Sequence, residues 1–105
     1  MHKHEISLNT ILQQGLLPLY YHEDRQVSLD ILEALYSAGI RSIEYTNRGA
    51  SAYDNFKDLL AIRNERYTDL QLGIGTIKTV ADAKKFIAAG ADYICLLYTS
   101  DAADD

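Results

Sequence analysis

The sequence has a single cysteine, Cys95, so no disulfide can form within the chain. A lone thiol fits a reducing compartment better than a secreted, cross-linked scaffold. No apolar run approaches the roughly 18 residues needed to span a bilayer. The opening Met1-His2-Lys3-His4-Glu5 lacks the apolar core of a signal peptide. Basic residues are scarce: 10 Lys and Arg stand against 15 Asp and Glu, a net charge of −5. A net-acidic surface argues against nucleic acid as the main partner, because phosphate binding needs a basic face. It leaves room for a local cationic pocket that takes a small anion. Also missing are a G-x-S-x-G nucleophile elbow, a C-x-x-C pair and a G-x-G-x-x-G dinucleotide fingerprint.

What remains is an ordinary soluble composition, 48% hydrophobic and 24% charged over 105 residues, enough for one small domain or a piece of a larger one. Short apolar runs alternate with amphipathic stretches. Ser7–Gln14 reads as a short helix ended by Gly15. Residues 16–21 (LLPLYY) read as a strand buried on both faces, with Pro18 at its edge or start because proline cannot donate to a ladder. Asp24 to Ala38 reads as a helix with Val27, Ile31, Leu32, Leu35 and Tyr36 inward and Gly39 as its stop. Ile40–Thr46 follows as a strand, and Ser51–Tyr67 as a helix with Tyr53, Phe56, Leu59, Leu60 and Ile62 on its apolar side. Leu70–Ile74 is the third strand. Thr79–Ala89 is a helix capped by Thr79 and stopped by Gly90, with Val80, Ala83, Phe86 and Ile87 facing inward. Ala91–Leu97 begins a fourth strand. This β-α-β-α-β-α-β order after a leading helix implies a parallel sheet with right-handed crossovers, in an α/β fold of the barrel or doubly wound kind. Four such strands leave two open edges, which reads as part of a larger domain.

In parallel α/β folds chemistry gathers at the carboxyl ends of strands. Three segments lie there. Glu44, with Arg48 four residues on, sits within a buried strand, where a carboxylate is costly unless paired or used. Desolvation would raise its pKa toward the range useful for moving protons. The plainer alternative is a glutamate at an edge, or one paired with Arg48 for structure alone. Gly73-Ile74-Gly75-Thr76 lets backbone approach a ligand and adds a hydroxyl, although glycines there can also serve only the turn. His22-Glu23-Asp24-Arg25 is a mixed-charge loop, usually just solvated. His2 and His4 have chelating spacing but no third ligand nearby. Tyr20, Tyr21, Tyr36 and Tyr53 read as packing residues, since no basic patch accompanies them. Glu23-Asp24 resembles the acidic pair of a response regulator, but Gly73-Ile74-Gly75-Thr76 stands where that class needs its phosphoacceptor aspartate.

Taken in order, Gly15-Leu16-Leu17-Pro18-Leu19, Ala38-Gly39-Ile40, Ile43-Glu44-Tyr45-Thr46-Asn47-Arg48, Gly73-Ile74-Gly75-Thr76-Ile77 and Ala88-Ala89-Gly90-Ala91-Asp92-Tyr93-Ile94 resemble the 2-dehydro-3-deoxy-phosphogluconate / 4-hydroxy-2-oxoglutarate aldolase family. The resemblance runs from Ile11 to about Ile94. It implies the first half of a (β/α)₈ TIM barrel, in a class I aldolase that uses no metal or organic cofactor. The parent would cleave 2-dehydro-3-deoxy-6-phosphogluconate to pyruvate and glyceraldehyde 3-phosphate, or act on a related 2-oxo acid. Glu44 matches the family's general acid/base, and Arg48 and Thr76 match the residues that hold the carboxylate of the pyruvyl part. A guanidinium suits that grip because it stays charged and binds in two prongs. The resemblance further implies a small-molecule 2-oxo acid as partner, a homotrimer at full length and a cytoplasmic location, with no nucleic acid or membrane.

The family's imine-forming lysine lies on the sixth strand, beyond this chain. Lys3, Lys57, Lys78, Lys84 and Lys85 do not match it, so the fragment is expected to be inactive alone. Residues 95–105 (CLLYTSDAADD) depart from the family and read as the translation of a transposase adapter used in sequencing libraries. The expected organisation is thus 1–94 for the barrel portion and 95–105 for a non-native tail. Two rivals remain open: a non-catalytic 2-oxo-acid-binding module, and another phosphate-binding barrel enzyme.

Overall fold

The computed structural model describes residues 10–96 apart from 12. Its elements, in chain order, are β1 (Leu19–Tyr20), α1 (Arg25–Ser37), β2 (Ser42–Thr46), α2 (Ala52–Arg66), β3 (Gln71–Ile77), α3 (Val80–Ala89) and β4 (Ile94–Leu96). All neighbouring strands run parallel, in the order β1-β2-β3-β4. The strand–helix alternation therefore gives the parallel α/β sheet expected of it.

Local chemistry sets the helix ends. Asp24 caps α1, its carboxylate accepting from the Gln26 amide at 2.8 Å. Thr79 caps α3 in the same way, accepting from the Asp82 amide at 3.0 Å. Gly39 and Gly90 stop α1 and α3 in left-handed conformations, φ 99° and 116°, which side-chain-bearing residues resist.

The core lies between sheet and helices. Ile43 and Tyr45 from β2, and Leu72, Ile74 and Ile77 from β3, meet Leu32, Phe56, Leu59, Leu60 and Phe86. Aromatic edges bind this layer together: Phe56 and Phe86 stand 5.6 Å apart, and Tyr20 meets Tyr45 at 5.1 Å, both T-shaped. The tyrosines read from sequence as packing residues do pack, with Tyr53 edge-on to Phe86 and Tyr36 tilted against Tyr67.

Several boundaries differ from the expectation. β1 is two residues, not six, because Leu16 and Leu17 precede the pairing and Pro18 offers only its carbonyl, which accepts from the Glu44 amide at 2.9 Å. β2 starts at Ser42 and β4 at Ile94, each two or three residues late. β3 runs on through Gly75 and Thr76 to Ile77. Of the leading helix, Thr10, Ile11, Gln13 and Gln14 are helical; residues 7–9 and 12 lie outside the described residues. Of the 95–105 segment, Cys95 and Leu96 complete β4 and the remainder lies outside the described residues.

Two helix faces also turn out differently. In α1 the fully buried positions are Ser28 and Leu32, while Val27 and Ile31 are only half-buried. Ser28 was invisible to a hydrophobicity pattern because it is buried for its hydroxyl. In α3 Phe86 is buried but Val80 and Ile87 are exposed. The buried stripe of α3 runs through Ala83 and Phe86, and Val80 and Ile87 lie off it. Among the described residues no helix is long and apolar enough to cross a membrane.

Candidate functional site

Side chains alternate along β2. Ile43 and Tyr45 enter the helix-covered core, which sends Ser42, Glu44 and Thr46 to the other face. Glu44 pairs in register with Gly73 on β3, and Thr46 with Gly75. The Glu44 side chain lies against Gly75: a β-carbon built on that glycine would fall 1.9 Å from Glu44 Oε2. Glu44 is only 4% exposed. No hydrogen bond or ion pair reaches its carboxylate among the described residues, and the pairing with Arg48 offered as the plain alternative is not formed. Burial pushes its pKa up from the ordinary carboxylate range.

β3 carries an irregularity beside this carboxylate. Ile74 pairs with Ile94 and Ile77 with Leu96, so three steps on β3 oppose two on β4. That bulge brings Ile74 and Ile77, an odd spacing apart, both into the core. Thr76, between them, is half-buried and holds φ 60°, a left-handed conformation rare for a β-branched residue. Strain of this kind persists where a site needs it. Removing it makes a test: Thr76→Gly is expected to raise the unfolding free energy by up to about 1 kcal/mol, read from urea denaturation. A clear loss of stability would show the conformation to be unstrained.

Arg48 follows β2 directly. Its side chain is exposed and lines a cavity of about 190 Å³ with Leu19, Tyr20, Tyr21 and Thr46. Thr46 Oγ1 donates to the Tyr20 carbonyl at 3.3 Å, and Tyr21 packs over Gly49. Of the three residues singled out from sequence, Glu44 lies on β2 against Gly75, Thr76 is the next residue along β3, and Arg48 lines a separate cavity that neither Glu44 nor Thr76 borders.

The loop after β1 is fixed by residues that sequence reading missed. The His22 carbonyl accepts from Tyr45 Oη at 2.7 Å, Ser28 Oγ at 3.0 Å and Asn55 Nδ2 at 3.1 Å. Asn55 also donates to the Glu23 carbonyl at 3.0 Å. His22 therefore contributes mainly its backbone, while its imidazole Nδ1 accepts from the Asp24 amide. Asn55, a lone polar residue inside the apolar face of α2, was the available sequence signal. Tyr93 and Cys95 complete the surroundings of Glu44. Burial pushes both of their pKa values up, and the Glu44 charge adds to the rise. Among the described residues no group of three or more His, Cys, Asp or Glu is arranged to hold a metal; His2 and His4 lie outside them.

Four parallel strands alternating with helices, with a buried carboxylate on the face of the sheet turned away from the core, define a parallel α/β unit. No protein-family profile matches the chain, and no curated protein sequence matches it closely enough to count as a relative. Solved structures do match. The 2-keto-3-deoxy-6-phosphogluconate (KDPG) aldolase of Zymomonas mobilis ATCC 29191 superposes with a TM-score of 0.63 at 23% identity, over 74% of this chain and 35% of that one. The KDPG aldolase of Legionella pneumophila, with pyruvate captured at low pH as a covalent carbinolamine, gives 0.65 at 27% identity, over 74% and 36%. The enzyme of Zymomonas mobilis ZM4, with 3-phosphoglycerate, gives 0.65 at 23%, over 81% and 39%. These neighbours are aldolases of the family the sequence resembles, and the fold is a partial TIM barrel. The chain spans between 35% and 39% of their lengths.

Proposed function

We propose that residues 10–94 form the proton-transfer and carboxylate-holding portion of a class I aldolase for a 2-oxo acid. The observation that carries this reading is the buried, unpaired Glu44 carboxylate with its raised pKa, set against Gly75, the chain neighbour of the strained Thr76. A strand-mounted acid of that kind is held rigidly, and burial makes it hold its proton more tightly than an ordinary carboxylic acid. In aldol cleavage the bond between C3 and C4 of the substrate breaks. The hydroxyl proton at C4 leaves as the aldehyde forms. The electron pair passes into an enamine on a lysine that this chain does not supply, and a proton then returns to C3. Glu44 is the group for those proton transfers. Arg48 and Thr76 grip the substrate carboxylate, the guanidinium as a permanent charge and the hydroxyl as a donor.

The lysine nearest the site in sequence, Lys78, is exposed in the loop after β3, and none of the lysines present stands where the resemblance puts the imine-forming one. The chain alone is therefore expected to trap no pyruvate under borohydride while still binding it weakly. The test is an NMR titration of the 105-residue chain with pyruvate. Saturable shifts at the Arg48 and Thr76 amides, abolished by Arg48→Met, support the reading; no shift at either residue overturns it. A borohydride adduct on any lysine present would overturn the assignment of the imine to a missing strand.

A further inference from the structure

Gly73 and Gly75 sit in the middle of a central strand, where glycine has no side chain to pack and weakens the strand. Neither has a positive φ, so the backbone does not require glycine at either place. What both glycines supply is room. At Gly75 a β-carbon would stand 1.9 Å from Glu44 Oε2, 2.7 Å from Cδ and 3.2 Å from Cγ. At Gly73 it would stand 2.2 to 2.5 Å from three ring atoms of Tyr93. The ring of Tyr93 is in turn held by its hydroxyl, which donates to the Ile43 carbonyl at 3.1 Å. One missing side chain thus seats the carboxyl group, and the other seats the aromatic wall beside it.

We propose that Gly75 is a positioning residue for Glu44: its bare backbone is the seat that keeps the carboxylate buried against β3. This rests on the reading of Glu44 as the proton-transferring group and adds to it the residue that sets its pose. The carboxyl end of a glutamate is flexible, so Gly75→Ala moves Glu44 off the strand and leaves the fold standing. The Tyr93 ring has no such freedom, so Gly73→Ala strains the packing instead.

The experiment follows the Glu44 side-chain carboxyl by ¹³C NMR across pH in the whole chain. Its signal is assigned by its loss in Glu44→Gln. The native chain is expected to titrate Glu44 above the ordinary carboxylate range, and Gly75→Ala is expected to bring the midpoint back into that range. Arg25→Ala removes only an exposed ion pair with Asp58 and is expected to leave the midpoint in place. An unchanged midpoint in Gly75→Ala overturns the proposal. A second measurement covers the case of a poorly folded variant. In a Glu44→Ala background the seat is empty, so adding Gly75→Ala is expected to raise the thermal midpoint. An equal loss with and without Glu44 overturns the proposal. Pyruvate shifts at Thr76, recorded alongside, separate the two readings. A moved Glu44 midpoint without pyruvate binding leaves the seat and sinks the aldolase, whereas pyruvate binding with an unmoved midpoint does the reverse.

Discussion

Asp92→Ala is expected to cost about 3–5 kcal/mol of stability, which is most of what a domain of this size has. Asp92 and Arg63 are each only 8% exposed. The Asp92 carboxylate accepts from Arg63 Nη1 and from the Leu72 amide, the latter at 2.7 Å. The Asp92 amide donates back to the Leu72 carbonyl at 2.9 Å. Arg63 Nη1 also donates to the Leu70 carbonyl at 3.0 Å. One carboxylate therefore ties α2 and the start of β3 to the segment entering β4. Its removal leaves a buried guanidinium without its counter-charge and a buried amide without an acceptor. Those losses exceed the value of the intact pair, because desolvation has already offset much of its attraction. Asp92→Asn keeps one acceptor oxygen and is expected to lose less. Arg25→Ala breaks the exposed pair with Asp58 and is expected to lose under about 1 kcal/mol. Urea denaturation of the three variants checks the ranking; a loss at Asp92 no larger than at Arg25 would refute it.

That pair also marks where sequence reading stopped. Helix stops at Gly39 and Gly90 and the cap at Thr79 are local signals, written in a few adjacent residues, and the structure has them as read. Phe56, Leu59 and Leu60 obey a single periodicity and are buried together. Arg63 lies on the same helix but looks like any solvated arginine. Its burial depends on Asp92, 29 residues away, which no local pattern connects to it. Ser28 and Asn55 were missed for the same reason: each is buried by a hydrogen bond to the His22 carbonyl, not by its own hydrophobicity. The continuation of β3 through Gly75 and Thr76 was missed because glycine ordinarily ends strands. Here the two glycines make room for Glu44 and Tyr93. Glu44 itself was legible, since a charge inside an apolar strand run is anomalous wherever it is found, and the structure buries it. The depth of its seat was not, because that depends on what stands opposite on β3.

Glu44→Gln is expected to stabilise the fold at neutral pH and to flatten its pH dependence. Burial raises the pKa of Glu44 in the folded chain, whereas the unfolded chain keeps the ordinary value. Between those two values the folded state holds a proton that the unfolded state has released. Stability therefore falls as pH rises through that window, and above it the cost of the buried charge is carried in full. Glutamine has the same shape and no charge, so the variant lacks this loss. The stability difference between variant and native chain is expected to be small below the ordinary carboxylate range. It should grow through the window and level off above it, at a gain on the order of 1 kcal/mol. Urea denaturation at a series of pH values reads this directly, and a difference that does not change with pH would mean that Glu44 is ordinarily solvated. The same substitution in a longer barrel that supplies the lysine is expected to slow turnover by about 10²–10⁴-fold, the usual worth of a positioned acid/base. A residue that weakens the fold while its removal disables the reaction is kept for its chemistry; one whose removal strengthens the fold and leaves turnover intact is not. The two measurements together decide which of these Glu44 is.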